Sequence, residues 1–111
     1  MKGFAPFELT AIKMLVQPVL GRAIVQALKA APGETELHLL NDGYDIVMQH
    51  SQLPAETVVI GSPKVLGRLE SLKVRFLVRV EAHNLRLICR ALGSGTFPAD
   101  FRMSEVQVSI G

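Results

Sequence analysis

The chain has 111 residues, 49% of them hydrophobic and 20% charged, with a net charge of +2 and a mean hydropathy of +0.31. This length supports one domain, residues 1–111, with one modest core. Its single cysteine excludes an internal disulfide, and no apolar run reaches the roughly 18–20 residues that span a bilayer as a helix.

Met1-Lys2-Gly3-Phe4-Ala5-Pro6 lacks the continuous apolar core and the small-residue cleavage site of a signal peptide. A cytoplasmic location is expected, a mature periplasmic form without its leader being the alternative. Residues 8–31 read as a helix. Leu9, Ile12, Val16, Val19, Ala23, Ala27 and Ala31 recur at three- and four-residue steps, and Leu15, Leu20, Ile24 and Leu28 widen the stripe. Pro6 suits a helix start and Pro32-Gly33 a stop. Pro18, inside the pattern, predicts a kink or two abutting helices. The small residues Ala23, Ala27 and Ala31 predict close approach of the second half to a sheet.

Glu36–Gln49 reads as a β-hairpin, with Leu37, Leu39, Ile46 and Met48 on one face. Asn41-Asp42-Gly43 supplies its turn, because Asp-Gly tolerates the positive φ that tight hairpins demand. His50–Ala55 is a loop and Thr57–Ile60 a short strand, broken by Gly61-Ser62-Pro63. Val65–Ser71 fits one helical turn or a bent strand.

Leu72–Leu92 carries the strongest pattern. Leu72, Val74, Phe76, Val78, Val80 and Ala82 alternate with Lys73, Arg75, Leu77, Arg79, Glu81 and His83. That period of two marks a half-buried strand. After a turn near His83-Asn84, Leu85, Leu87, Cys89 and Ala91 oppose Arg86, Ile88 and Arg90. Leu85, Ile88, Cys89 and Leu92 also fit helical spacing, so residues 84–92 stay open between strand and helix. With a two-residue turn, Ala82 faces Leu85, Glu81 faces Arg86, Arg79 faces Ile88 and Leu77 faces Arg90. Gly93-Ser94-Gly95 is a loop that Phe97 and Phe101 pin back, and Val106, Val108 and Ile110 mark a last strand. The sum is an α+β fold: a kinked N-terminal helix, about 8–31, packed along an antiparallel sheet of four to five strands.

Charge is uneven along the chain. Residues 1–63 hold four Lys/Arg against six Asp/Glu, and residues 64–102 hold eight against three. The basic half coincides with the long hairpin and sets its arginines on one surface, where Lys73, Arg75, Arg79 and Arg90 are expected to lack partners. A solvated sheet face that deters edge aggregation accounts for such a pattern. So does contact with anionic headgroups or a phosphate-bearing partner.

Catalytic chemistry is not legible. His38, His50 and His83, with Cys89, Asp42 and Asp45, have no zinc-site spacing. Cys89 shares a face with Leu85 and Leu87, as a buried inert thiol does. Gly61-Ser62-Pro63-Lys64 with Gly67-Arg68 looks like a phosphate loop, but the Gly-Lys-Ser/Thr ending is missing and Pro63 removes a backbone donor. No catalytic residue, metal ligand or cofactor is expected. Nucleic acid is disfavoured, because single-strand readers stack bases on exposed aromatics. The chain has no Trp and one Tyr, and Phe76 alternates away from the arginines.

The order of elements resembles small bacterial lipid-binding domains of the tubular (TULIP-type) kind. An Ala/Leu-rich helix, the Asn-Asp-Gly hairpin, and the strands Leu69-Glu70-Ser71-Leu72-Lys73-Val74 and Val80-Glu81-Ala82-His83-Asn84-Leu85-Arg86-Leu87 carry the resemblance over residues 19–92. Val59-Ile60-Gly61-Ser62-Pro63 and Val80-Glu81-Ala82 look like sterol-carrier-type domains, whose segment between these points is longer. Both resemblances imply an apolar cavity and no catalysis.

High apolar content in a small domain points to a cavity, an interface or a membrane surface. The function expected is non-enzymatic binding of a lipid, fatty acid or other amphiphile between helix 19–31 and the sheet. Ile24, Leu28, Leu39, Ile46, Val74, Phe76, Val78 and Leu87 are the expected lining, and Arg75, Arg79 and Arg90 would meet an anionic headgroup. The alternatives are homodimeric assembly on the surplus apolar surface, including Leu77 and Ile88, and an anion- or nucleic-acid-binding domain. Peripheral membrane contact fits the first reading.

Overall fold

Pro6 opens the first helix, α1 (Pro6–Leu20), at a position where its missing N–H costs nothing. The Ala5 N–H donates to Glu8 Oε1 at 2.7 Å, one half of a capping box. The computed structural model describes residues 4–30, 34–93 and 97–111. Pro18 stays within the last turn of α1, and the break falls instead at Gly21, whose φ of 94° strains any residue with a side chain. A second helix follows, α2 (Arg22–Ala30). Ala31, Pro32 and Gly33, read as the helix end, and Ser94 and Gly95, read as a loop, lie outside the described residues.

The break resets the helical phase, so the expected stripe is rotated. Phe7, Glu8, Ala11, Ile12, Leu15 and Val16 are the buried residues of α1, whereas Val19 is 52% exposed. In α2 the buried residues are Val25 and Leu28, and Ala23 is exposed. α2 packs chiefly on α1, and it is α1 that lies against the sheet. The expectation that Ala23 and Ala27 bring the second half against the sheet is therefore corrected.

Among the described residues six antiparallel strands follow: β1 (Thr35–Leu40), β2 (Gly43–Gln49), β3 (Val58–Leu69), β4 (Leu72–Glu81), β5 (Asn84–Ala91) and β6 (Gln107–Ile110). Their order across an open sheet is β1-β2-β5-β4-β3-β6. The fold is α+β, as expected, with one strand more than the four to five read from the sequence. Val65–Leu69, open between a helical turn and a bent strand, is strand and lengthens β3 without adding to the number. Ile60 pairs with Val78 but Val65 with Phe76, so Gly61–Lys64 bulge out opposite Leu77, with a cis Ser62–Pro63 bond. The break expected at Gly61-Ser62-Pro63 is a bulge within one long strand. Residues 84–91 are strand, which closes the helical alternative.

The long hairpin turns one residue earlier than expected. Glu81 pairs with Asn84, and Ala82 and His83 form the turn at φ 50° and 63°. Tertiary contacts hold these two residues in the left-handed region. The Ala82 and His83 N–H groups donate to the Ala55 and Pro54 carbonyls at 3.0 and 3.1 Å, and the His50 N–H donates to the His83 carbonyl at 2.9 Å. The resulting register shift of two leaves each side chain on its expected face. It changes every cross-strand partner.

One face of the sheet packs on α1 and on the segment around the short 3₁₀ helix Phe101–Met103. Tyr44, Ile46, Met48, Ile60, Val65, Val74, Phe76, Val78, Val80, Leu85, Leu87 and Cys89 join Phe7, Ile12, Leu15, Leu28 and Phe101 in one core cluster. The six aromatic side chains all belong to this side. No described helix covers the opposite face, and no described helix is long and apolar enough to cross a membrane.

Candidate anion-binding face

Alternation along β4 and β5 sends Lys73, Arg75, Leu77, Arg79 and Glu81, with Arg86, Ile88 and Arg90, to the uncovered face. The register sets like charges directly opposite one another. Arg79 faces Arg86, Arg75 faces Arg90, and on the next ladder Arg68 faces Lys73. Leu77 faces Ile88 between the first two pairs. The neighbouring strands add Asp45, Val47 and Glu36 on one side and Val59 and Leu66 on the other. Six basic side chains thus share the face with three acidic ones.

Directly opposed like charges destabilise a sheet, and part of that cost is offset locally. Asp45, opposite Ile88, accepts from Arg86 Nη1 at 2.9 Å and from Arg90 Nη1 at 2.7 Å through its two oxygens. Arg90 Nη1 also donates to the Tyr44 and Cys89 carbonyls, each at 3.1 Å. Arg79 Nη2 lies 3.2 Å from Glu81 Oε2, an exposed pair. Arg75 Nη2 donates to the Gly61 carbonyl at 3.2 Å, while its buried Nε has no hydrogen-bond partner. Arg68 Nε donates to the Glu70 carbonyl at 3.1 Å. A shallow polar depression lined by Val47, Arg79, Glu81, Ala82, Asn84 and Arg86 opens on this face.

The structure brings Arg75, Arg79 and Arg90 together on one surface, as the alternation requires. It pairs Arg90, expected to be unpartnered, with Asp45, and it replaces the expected Glu81–Arg86 pair with Glu81–Arg79 and Asp45–Arg86. In the sequence Asp45 stands as a rejected metal-ligand candidate, and Arg68 as part of a phosphate-loop look-alike. Their places on the face follow from the β2–β5 pairing and the β3 bulge, and neither is written in local sequence.

Most of the residues expected to line an apolar pocket sit on the helix side of the sheet, packed against one another. Leu28, Ile46, Val74, Phe76, Val78 and Leu87 are at most 1% exposed and pack within the core cluster. Ile24 is half-buried at its edge, and Leu39 is 66% exposed.

A second polar cluster, on the helix side, left only one trace in the sequence. Glu8 is wholly buried. Arg102 Nε and Nη2 donate to its two oxygens at 2.7 Å each, and the Tyr44 hydroxyl donates to Oε2. With the Ala5 N–H, this saturates the carboxylate and ties the N-terminal helix to the C-terminal segment. The one local signal was a glutamate two residues after a proline, at the third position of a helix. Burial, reinforced by Glu8, pushes the Tyr44 phenol and the Cys89 thiol above their ordinary values, and the hydrogen bond to Glu8 raises Arg102. The arrangement is a charge-neutralised brace between α1, β2 and the C-terminal segment. Among the described residues no three His, Cys, Asp or Glu side chains converge as metal ligands.

Comparison of the chain with protein-family models, with curated proteins and with solved structures finds no match.

Proposed function

We propose that the chain is a non-catalytic binding module that takes an anionic amphiphile, a lipid or acyl chain with a phosphate or carboxylate headgroup, on the uncovered face of its sheet. One observation carries this reading: three cross-strand pairs of basic side chains flank Leu77 and Ile88 on a face no described helix covers. Arg75 and Arg79 are four residues apart on one strand, about 13 Å. Two headgroup-binding clusters therefore stand either side of a short apolar patch. Val59, 69% exposed on the same face, extends that patch. The apolar contact is assigned to Leu77, Ile88 and Val59, and not to Ile46, Val74, Phe76, Val78 and Leu87, because the latter fill the core against one another. The aromatic side chains all lie on the helix side, so the basic face offers no platform for stacking bases.

Vesicle co-sedimentation tests this. Vesicles containing phosphatidylglycerol should bind the protein and release it as salt is raised, whereas phosphatidylcholine vesicles should not. Each basic side chain near an anionic surface contributes about 1 kcal/mol, so Lys73→Ala with Arg79→Ala should weaken binding about thirty-fold. Val59→Asp should weaken it further. Equal binding to both vesicles, or none to either, rejects the proposal.

A further inference from the structure

We infer that the chain forms a two-fold dimer by pairing β1 with β1 of a second copy, so that one sheet runs through both. Strand β1 is an edge of the sheet, and among the described residues only β2 pairs with it. Edge strands in monomers are usually shortened, bulged, or marked by Lys or Pro. The opposite edge, β6, is four residues long. β1 has six residues, Thr-Glu-Leu-His-Leu-Leu, in unbroken register with β2 and with no Lys, Arg or Pro. Its Leu39 and Leu40 are 66% and 44% exposed.

Symmetry then selects the register. An antiparallel pairing of two identical edges has its two-fold axis normal to the sheet, so one residue must face its own copy. An axis at Glu36 sets two carboxylates together. An axis at Leu37 sets Leu37 against Leu37 on the helix side and Glu36 against His38, twice, on the open side. These two side chains already lie 3.3 Å apart within one strand, at Nε2 and Oε1, and both are well exposed. The polar pattern of β1 is therefore complementary to itself about Leu37, with the Glu36 carboxylate facing the His38 imidazole at two places. On the helix side, Leu37 and Leu39 border a small cleft shared with Phe97, Phe101 and Met103, the last 89% exposed, and a docked copy covers that apolar rim. Stacking two open faces is disfavoured, because each carries six basic side chains against three acidic ones. The inference does not depend on what the open face binds.

Sedimentation of the intact chain should show a monomer–dimer equilibrium at micromolar concentration. Leu37→Cys should form a disulfide-linked dimer under mild oxidation, since facing residues in an antiparallel pair meet the Cα separation a disulfide needs. Val59→Cys, on a different strand, should crosslink far more slowly, and the native Cys89 is buried. Glu36→Lys should weaken the dimer about ten-fold by setting an ammonium group opposite His38 at two places, while His38→Lys should preserve it. Circular dichroism on each variant separates lost pairing from lost folding. A wild-type chain that stays monomeric overturns the inference. So does a folded Leu37→Cys chain that crosslinks no faster than Val59→Cys, or an open-ended polymer in place of a dimer.

Discussion

Glu8 shows how one side chain can fasten distant parts of a small protein. Its carboxylate is buried, yet every oxygen is used, by Ala5, Tyr44 and a two-pronged contact from Arg102. Removing one member of such a pair leaves the other charge buried and uncompensated. Glu8→Gln should cost about 3 kcal/mol of stability by urea denaturation. Tyr44→Phe, which removes one charge-assisted hydrogen bond, should cost about 1.5–3 kcal/mol. The same cluster sets an alkaline limit. Burial first, then the Glu8 charge, raises Cys89 and Tyr44 above their ordinary values of 9.0 and 10.0. Both therefore stay protonated when folded at a pH where the unfolded chain has begun to ionise. Their contribution is full below about pH 9 and is lost as pH rises beyond it. The urea midpoint should fall above that pH, and Cys89→Val should remove the earlier part of the fall.

At the scale of elements, the turns and close strand approaches decide stability. Ala82 sits at φ 50° in the β4–β5 turn, a conformation that costs a side-chain-bearing residue about 1–2 kcal/mol and suits asparagine better. Ala82→Asn should therefore raise the thermal midpoint, by about 0.5–1 kcal/mol of stability. Gly43 is required for a different reason: a Cβ there would collide with the Cys89 carbonyl on the neighbouring strand. Gly43→Ala must push β2 from β5, and should cost about 1–3 kcal/mol with loss of amide-exchange protection along that ladder. Both effects explain why the sequence was readable in some elements and silent in others. Asn41-Asp42-Gly43 announces its hairpin by composition, whereas Ala82-His83 contains no turn former, and Asn84 beside it drew the expected turn one position too far. The loop carbonyls of Pro54 and Ala55 hold that turn, and they come from another part of the chain.

At the scale of the molecule, two layers leave one sheet face that no described helix covers, and that face collects most of the basic side chains of residues 64–102. Which residues of β4 and β5 share it was legible in the sequence, because side chains in any strand alternate with a period of two whatever the strand pairs with. The α+β class, the basic character of Lys73, Arg75, Arg79 and Arg90, and the inward direction of Val74, Phe76, Val78, Leu87 and Cys89 all follow from that local geometry. Tertiary structure alone decided who meets whom. It set Arg79 against Arg86, gave Asp45 to Arg86 and Arg90, turned the phosphate-loop look-alike into a bulge, and filled the space behind the hairpin with core side chains. It also set α2 chiefly against α1, after a break at Gly21. Cross-strand register and helix docking depend on contacts between residues far apart in the chain, and a repeat of two or 3.6 residues carries no information about that distance.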